Sequence, residues 1–208
     1  PEVMEKFEKS WGVELNHNIG TKATECFHKM LTGDIRGLLI FGEDPMRTDP
    51  NTKHVLKALS ALDFLVVDEL FMTETAKLAD VILPGRSFAE KEGTFTNTER
   101  RVQRVRKAID VKGDTRLDTW IFTELMNRMG YPQPHLTSAQ IMDEIASVTP
   151  SFAGMSHERL DSDEVAGRGL QWPCRGKDQP GTPILHVGKF ARGKGKFIPT
   201  EYVPSMEQ

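Results

Sequence analysis

Three short apolar runs, each ending in a turn that carries an acid or a glycine, set the tightest limit on what this chain can fold into. They are Gly37-Leu38-Leu39-Ile40-Phe41-Gly42-Glu43-Asp44-Pro45, Phe64-Leu65-Val66-Val67-Asp68-Glu69 and Ala79-Asp80-Val81-Ile82-Leu83-Pro84-Gly85. Parallel strands buried on both faces read as continuous apolar runs of this kind. The crevice beyond the carboxyl ends of such strands is where open α/β sheets bind nucleotides. Strands are predicted at Leu38 to Phe41, Phe64 to Val67 and Val81 to Leu83. Between the first two, Asp49-Pro50-Asn51-Thr52 offers capping residues before Lys53 to Leu59, where Val55, Leu56, Leu59 and Leu62 form one apolar stripe. A short helix, Thr75 to Leu78, separates the second and third strands. The alternation predicts right-handed crossovers and a Rossmann-like α/β fold, a parallel sheet flanked by helices.

On either side of this unit the pattern changes. Residues 1–34 read as two short helices around a Gly/Asn-rich break, with Thr24 as a cap for Glu25 to Leu31 and Gly33 as a stop. After Pro84, the stretch Gly93 to Val105 holds two β-prone pieces around an Asn-Thr turn and predicts a hairpin or an irregular β excursion. Asp118 opens a helix over Thr119 to Met129, stopped by Gly130 and Pro132, and Ser138 is the expected cap of a helix over Ala139 to Ser147. Beyond residue 150 Gly, Pro and charge dominate and periodicity fades. The expected division is a nucleotide-binding domain over 1–150 and an extended C-terminal arm over 151–208. Opening at Pro1 directly into a charged helical pattern, the chain reads as a piece of something longer.

Composition narrows the partners. With 38% hydrophobic and 27% charged residues and a net charge of −3, the chain is an ordinary globular sequence with no overall attraction to nucleic acid or membrane. No apolar run approaches the length of a membrane span and no signal-peptide pattern is present, so the default expectation is a soluble, cytoplasmic protein. Only Cys26 and Cys174 occur, which excludes an internal site of four thiolates. The six histidines are scattered without metal-ligand spacing.

Candidate chemistry gathers at the strand ends. Gly42 permits close backbone approach or a positive φ, Pro45 fixes the turn after it, and Glu43, Asp44 and Thr48 stand where a ligand's polar edge would lie. Neither a Gly-x-Gly-x-x-Gly nor a Gly-Lys-Ser/Thr loop is present, which argues against ordinary dinucleotide or triphosphate binding. Asp68, closing the second run, either accepts from ribose hydroxyls or caps the short helix after it. Asp80 belongs to turn chemistry at the amino end of the third strand. Asp118 is either a helix N-cap or a bidentate acceptor for the N1–H and N2–H₂ donors of a guanine edge. The basic run Arg100, Arg101, Arg104, Arg106 and Lys107 has no interleaved aromatics, so it reads as a solvated strand face or a phosphate contact.

Several of these stretches resemble a known family. Gly42-Glu43-Asp44-Pro45 with Thr48-Asp49-Pro50, Phe71 to Ala76 running into Ala79 to Pro84, and Glu92 to Gln103 are similar to the molybdopterin oxidoreductases of the dimethyl sulfoxide reductase superfamily. Gln171-Trp172-Pro173-Cys174, Gly181 to Leu185 and Gly193 to Phe197 resemble the catalytic subunits of formate dehydrogenases within it. The resemblance implies the third domain of such a subunit, with the arm leading toward a C-terminal barrel domain. It implies a molybdopterin guanine dinucleotide carrying Mo or W, with an iron–sulfur cluster and the metal's own ligand in a part of the subunit outside this sequence. The cofactor-binding positions carried over are Gly42, Asp44, Thr48, Asp68, Gly85 and Asp118, while Glu99, Arg100 and Gln103 match a stretch that shapes the domain. No catalytic residue and no metal ligand is assigned here. The implied partners are the remaining domains, formate, and an electron-accepting iron–sulfur or flavin subunit. Other members to weigh are nitrate reductase-type enzymes and a non-catalytic structural relative in respiratory complex I.

Overall fold

A computed structural model describes residues 2–190 and 192–202 of the chain. Pro1 and the end of the expected arm, residues 203–208, lie outside the described residues. The helices are α1 (Glu2–Trp11), α2 (Ala23–Leu31), α3 (Pro45–Thr48), α4 (Thr52–Leu59), α5 (Asp118–Arg128), α6 (Ser138–Val148) and α7 (His157–Asp161). The strands are β1 (Gly37–Phe41), β2 (Phe64–Glu69), β3 (Val81–Pro84), β4 (Gly93–Thr96), β5 (Arg101–Val105) and β6 (Leu170–Gln171).

The three apolar runs form a parallel sheet in the order β1-β2-β3, with Ile40 opposite Val67 and Val67 opposite Ile82. Its first face is covered by α2 and α4. Met30, Ile40, Val55, Ala58, Leu59, Leu65, Val67 and Ala76 are buried there as one cluster. The α4 stripe forms in part: Val55 and Leu59 are buried and Leu62 packs against the cluster, whereas Leu56 is 42% exposed and Ala58 takes the buried place. Asn51 caps the helix by accepting a hydrogen bond from the His54 amide at 3.2 Å. Between β2 and β3 the chain makes a single 3₁₀ turn, Ala76–Leu78. Asp80 then accepts from the Leu65 amide at 2.7 Å, tying the start of β3 to the start of β2. That is the turn role expected of it.

A second sheet runs β4-β5-β6, antiparallel throughout. Its core is Val102, Met142, Met155, Leu160, Val165, Leu170 and Cys174. The segment from residue 151 therefore does not begin as an extended arm. Residues 150–152 form a 3₁₀ turn, α7 comes next, and β6 pairs with β5 before the chain loses regular structure. Met155, Leu160, Val165 and Leu170 are buried at intervals of five residues, the second of them within α7 and the others in turns or at the start of β6. That spacing matches neither a helix nor a strand.

Three caps also differ from expectation. Ala23 is already helical and Lys22 takes the cap position of α2 without a side-chain bond, so Thr24 caps nothing. Thr137, not Ser138, caps α6, accepting from the Gln140 amide at 3.3 Å while the Gln140 side chain accepts from the Thr137 amide at 2.9 Å. Thr137-x-x-Gln140 satisfies two donors reciprocally, which a lone serine one position on does not. Leu117 holds the cap position of α5, and Asp118 is the first helical residue.

The basic run is used within the molecule. Arg101 pairs with Glu99 at 2.7 Å, Arg104 reaches both Asp161 oxygens at 3.1 Å, Arg106 also pairs with Asp161, and Lys107 pairs with Asp110 at 3.0 Å. Arg100 adopts a positive φ of 67° at the β4–β5 turn. Its guanidinium donates to the carbonyls of Trp172, Thr182 (3.0 Å) and Pro183 (3.2 Å), and lies 5.6 Å from the Trp172 ring centroid. One side chain thus staples the 172–183 segment to the hairpin. Arg100→Ala is expected to lower stability by about 1–3 kcal/mol, the usual range for leaving such acceptors unsatisfied. The measurement is a lower urea midpoint, with cleavage between residues 172 and 183 appearing first in limited proteolysis.

Candidate nucleotide-binding site at the strand ends

Six predicted positions fall at the carboxyl ends of the parallel strands or beside them, in two linked groups. The first lies just past β1. Gly42 has a φ of +60°, and its amide donates to the Asp68 carbonyl at 2.9 Å, so the ladder closes at the residue where the chain turns away. A side chain at Gly42 would meet nothing within 4 Å. The glycine is required there by conformation rather than by space. The Asp44 carboxylate accepts from the Thr75 hydroxyl at 2.6 Å and the Thr75 amide at 3.2 Å, while the Thr75 hydroxyl accepts from the Met46 amide at 3.1 Å. Thr75 is fully buried. The side chain of Asp44 is thus spent on joining the turn after β1 to the turn after β2. Thr48 donates to the Asp44 carbonyl at 3.2 Å, which closes the short α3 turn over it.

The second group lies across the sheet. Asp68, at the end of β2, is only 3% exposed, and its Oδ2 has no hydrogen-bond partner among the described residues. Gly85, just past β3, is buried between two carboxylates. A Cβ placed there would lie 2.8 Å from Asp68 Oδ1 and 3.0 Å from Asp118 Oδ1. The chain from Asp114 to Leu117 runs beside the end of β3, with the Arg86 amide donating to the Arg116 carbonyl at 3.0 Å and the Arg116 amide to the Pro84 carbonyl at 3.0 Å. This bridge delivers Asp118 to Gly85. Lys91 pairs with Asp118 Oδ2, and both side chains are largely buried.

The electrostatics arise from that crowding. Burial raises the Asp68 carboxyl to about 6, the facing charge of Asp118 adds to the rise, and the Lys91 ammonium opposes it. Glu90, one residue before Lys91, goes the other way. It is held below the usual carboxylate range by bonds from the Lys112 amide (2.6 Å) and from the Ser87 hydroxyl (2.8 Å) and amide (3.1 Å). A cleft of about 720 Å³ opens beside Asp118, lined by Arg86, Lys91, Lys107, Thr119 and His135 among others. The Arg86 Nε is buried and, like Asp68 Oδ2, has no partner among the described residues. Asp68 thus holds an unpartnered acceptor, and Arg86, the residue after Gly85, an unpartnered donor. Lys91, Thr75 and Arg86 were not among the predicted site residues. Lys91 and Arg86 are single charges in charged surroundings, and only the fold brings them to the strand ends.

The model of the "Molybdopterin oxidoreductase" family matches residues 3–128, which include both groups of residues. The chain belongs to that family. It is 50% identical over 207 residues to the F420-dependent formate dehydrogenase 2 subunit alpha of Methanococcus maripaludis, covering 97% of this chain and 30% of that protein. It is 45% identical over 200 residues to the F420-dependent formate dehydrogenase subunit alpha of Methanocaldococcus jannaschii, covering 94% and 29%. The chain thus spans about a third of the length of these family members. Among solved structures, acetylene hydratase from Pelobacter acetylenicus superposes with a TM-score of 0.54 at 24% identity, over 75% of this chain and 22% of that one. That likeness concerns the fold. Among the described residues no cluster of three or more His, Cys, Asp or Glu side chains is placed to hold a metal ion, and no helix is long and apolar enough to cross a membrane.

The acid pair generates two predictions. The folded state holds its Asp68 proton up to about pH 6, whereas an unfolded chain gives it up near 4. The folded state therefore binds more protons across that window, and stability falls as pH rises from about 4 to 6. Asp68→Asn is expected to flatten that part of the profile and to be more stable than the parent at pH 7 by up to about 2–3 kcal/mol, read from urea midpoints across the range. Gly85→Ala, which drives a methyl against both carboxylates, is expected to cost about 1–3 kcal/mol. The same denaturation series measures it.

Proposed function

We propose that this chain is the part of a formate dehydrogenase catalytic subunit that anchors one molybdopterin guanine dinucleotide. The observation that carries the reading is the pair of carboxylates, Asp68 and Asp118, facing each other across Gly85 with Asp68 Oδ2 unpartnered. A buried carboxylate lacking a donor carries a desolvation penalty that a ligand's N–H or O–H groups relieve. The donor set of a guanosine suits it. Ribose hydroxyls can donate to Asp68, the N1–H and N2–H₂ edge can donate to both oxygens of Asp118, and neither role requires a cation. Gly42 leaves its loop open to close backbone approach, and Thr48 retains acceptor capacity beside it.

When bound, the cofactor would supply metal-centred two-electron chemistry, and the names of the relatives point to formate as the substrate, oxidised to carbon dioxide. This chain's share is to hold and orient the nucleotide end. Asp44 keeps the β1 turn fixed through Thr75, Asp118 presents its carboxylate from the first turn of α5, and Asp68 would take donors at its unpartnered Oδ2. Electrons would leave through an iron–sulfur cluster elsewhere in the subunit to an iron–sulfur or flavin partner. The names of the relatives make F420 the first acceptor to test. The alignment with formate dehydrogenase subunits at 42–50% identity favours this substrate over nitrate.

The test is Asp118→Ala in the intact subunit. Bound pterin and metal are expected to fall at least fivefold relative to protein, by mass spectrometry and elemental analysis, while the iron–sulfur signal persists. Pterin and metal content equal to the parent's would remove the assignment.

A further inference from the structure

The fold leaves one basic side chain of the cleft beside Asp118 without work, that of Arg86. Of the other basic residues lining it, Lys91 pairs with Asp118, Lys107 pairs with Asp110 at 3.0 Å, and His135 bonds to Glu124 at 3.0 Å while stacking on Trp120. Arg86 makes no ion pair among the described residues, and its buried Nε has no hydrogen-bond partner there. Glu90 is close enough to feel its charge but does not serve it. Both oxygens of that carboxylate are taken, Oε1 by the Lys112 amide and Oε2 by the Ser87 amide and hydroxyl. A guanidinium carries five N–H donors in a planar fork, and a buried donor left unsatisfied carries a cost that a ligand's acceptor relieves.

The backbone of Arg86 is fixed in relation to Asp118. Its amide donates at 3.0 Å to the carbonyl of Arg116, two residues before Asp118, and the capping box of Ser87 and Glu90 holds the turn that follows. Asp118 Oδ1 lies 3.0 Å from the point that a Cβ at Gly85 would occupy. An unengaged donor fork and a carboxylate acceptor therefore adjoin the same small residue.

The surrounding charges decide which kind of acceptor fits. A phosphate lodged beside Arg86 would face the carboxylates of Asp118, Asp68, Glu90 and Glu92, and like charges repel strongly where water is scarce. A neutral acceptor meets no such penalty. Among the bases, guanine alone presents two adjacent acceptors, N7 and O6, and arginine binds that pair with both arms of its fork. They stand on the edge next to the N1–H and N2–H₂ donors. Adenine places an N6–H₂ donor where guanine has O6, which would set donor against donor.

We propose that Arg86 reads the N7 and O6 acceptors of guanine while Asp118 takes the N1–H and N2–H₂ donors. The base is then recognised along two neighbouring edges, and Arg86 is the residue that refuses adenine. The proposal rests on the nucleotide reading above and adds the base-discriminating contact to it.

Mononucleotide binding to the intact subunit prepared without pterin tests it. The probes are guanosine monophosphate, its 7-deaza analogue, which lacks the N7 acceptor, and adenosine monophosphate. The parent is expected to bind the guanine nucleotide about fivefold more tightly than the 7-deaza analogue and at least about tenfold more tightly than the adenine nucleotide. Arg86→Met keeps the apolar stem and removes the fork. It is expected to bind the guanine nucleotide no better than the 7-deaza analogue, with an unchanged urea midpoint because no bond within the protein is lost. Equal binding of those two nucleotides by the parent would overturn the proposal, as would a preference that survives in Arg86→Met. A loss in Arg86→Met that is equal for both nucleotides and absent with guanosine would also overturn it, by placing the guanidinium on the phosphate. In the subunit as it is expressed with its cofactor, bound pterin in Arg86→Met is expected to fall at least threefold, and parental content would overturn the proposal. Asp118→Ala reports separately. Reduced pterin in that variant beside parental pterin in Arg86→Met would keep the nucleotide in the cleft and remove only Arg86 from it, whereas unchanged pterin in Asp118→Ala would remove the nucleotide reading itself.

Discussion

Among the described residues strand β2 alone in the parallel sheet has a strand on each side, and both ladders and both ends of the site depend on it. Its first residues are fixed by Asp80, and its last carbonyls receive the Gly42 amide on one side and the Gly85 amide, at 3.3 Å, on the other. The turns after β1 and β3 are therefore anchored to the same two residues, Asp68 and Glu69. A one-residue shift of register along β2 would move Asp68 from one face of the sheet to the other, because side-chain direction alternates with each residue. The buried apolar residues Leu65 and Val67 prevent that shift: in the slipped register they would leave the core formed with Met30, Val55 and Leu59.

The second sheet is held differently. Its core is small and its segments are short, so polar ties carry much of the organisation. Arg100 and Arg104 each reach across more than fifty residues of sequence, the first to carbonyls of the 172–183 segment and the second to Asp161. Arg104 also lies 3.3 Å from His157 Nε2. Burial, and then the Arg104 charge, push that imidazole below its ordinary range, so it is neutral at physiological pH and packs as a core residue. Guanidinium groups suit such work because their planar array of donors serves several acceptors at once.

The parallel sheet was legible because strands of this kind need only apolar runs and turn residues, and both are local properties. The capping stretch before α4, and Val55, Leu59 and Leu62 of its stripe, were legible for the same reason, while Leu56 turned out exposed and Ala58 buried. Asp118 shows where local reading fails. Its sequence context fits a helix cap, yet the carboxylate is drawn away by Lys91, a residue on another loop that only the fold brings near. The caps at Thr24 and Ser138 failed differently, since a neighbouring position supplied the helix start. Thr137 with Gln140 carried the reciprocal signal openly. The folded segment from Met155 to Leu170 was hidden because its buried residues recur at a spacing that belongs to no regular element. At the site, Gly42, Asp44 and Thr48 could be grouped from sequence. The meeting of Asp68, Gly85 and Asp118 could be grouped only by resemblance, since three separate segments contribute to it.

The bond between Asp44 and Thr75 has a mechanical consequence. It makes the turns after β1 and β2 a single body, since displacing either one means breaking a short contact to a fully buried threonine. A guest arriving at these strand ends meets a rim whose shape is already set. Little entropy is lost in ordering it, and the free energy of contact goes into affinity rather than into assembling the receptor. The same stiffness transmits force, so a pull on one turn is felt at once by the other.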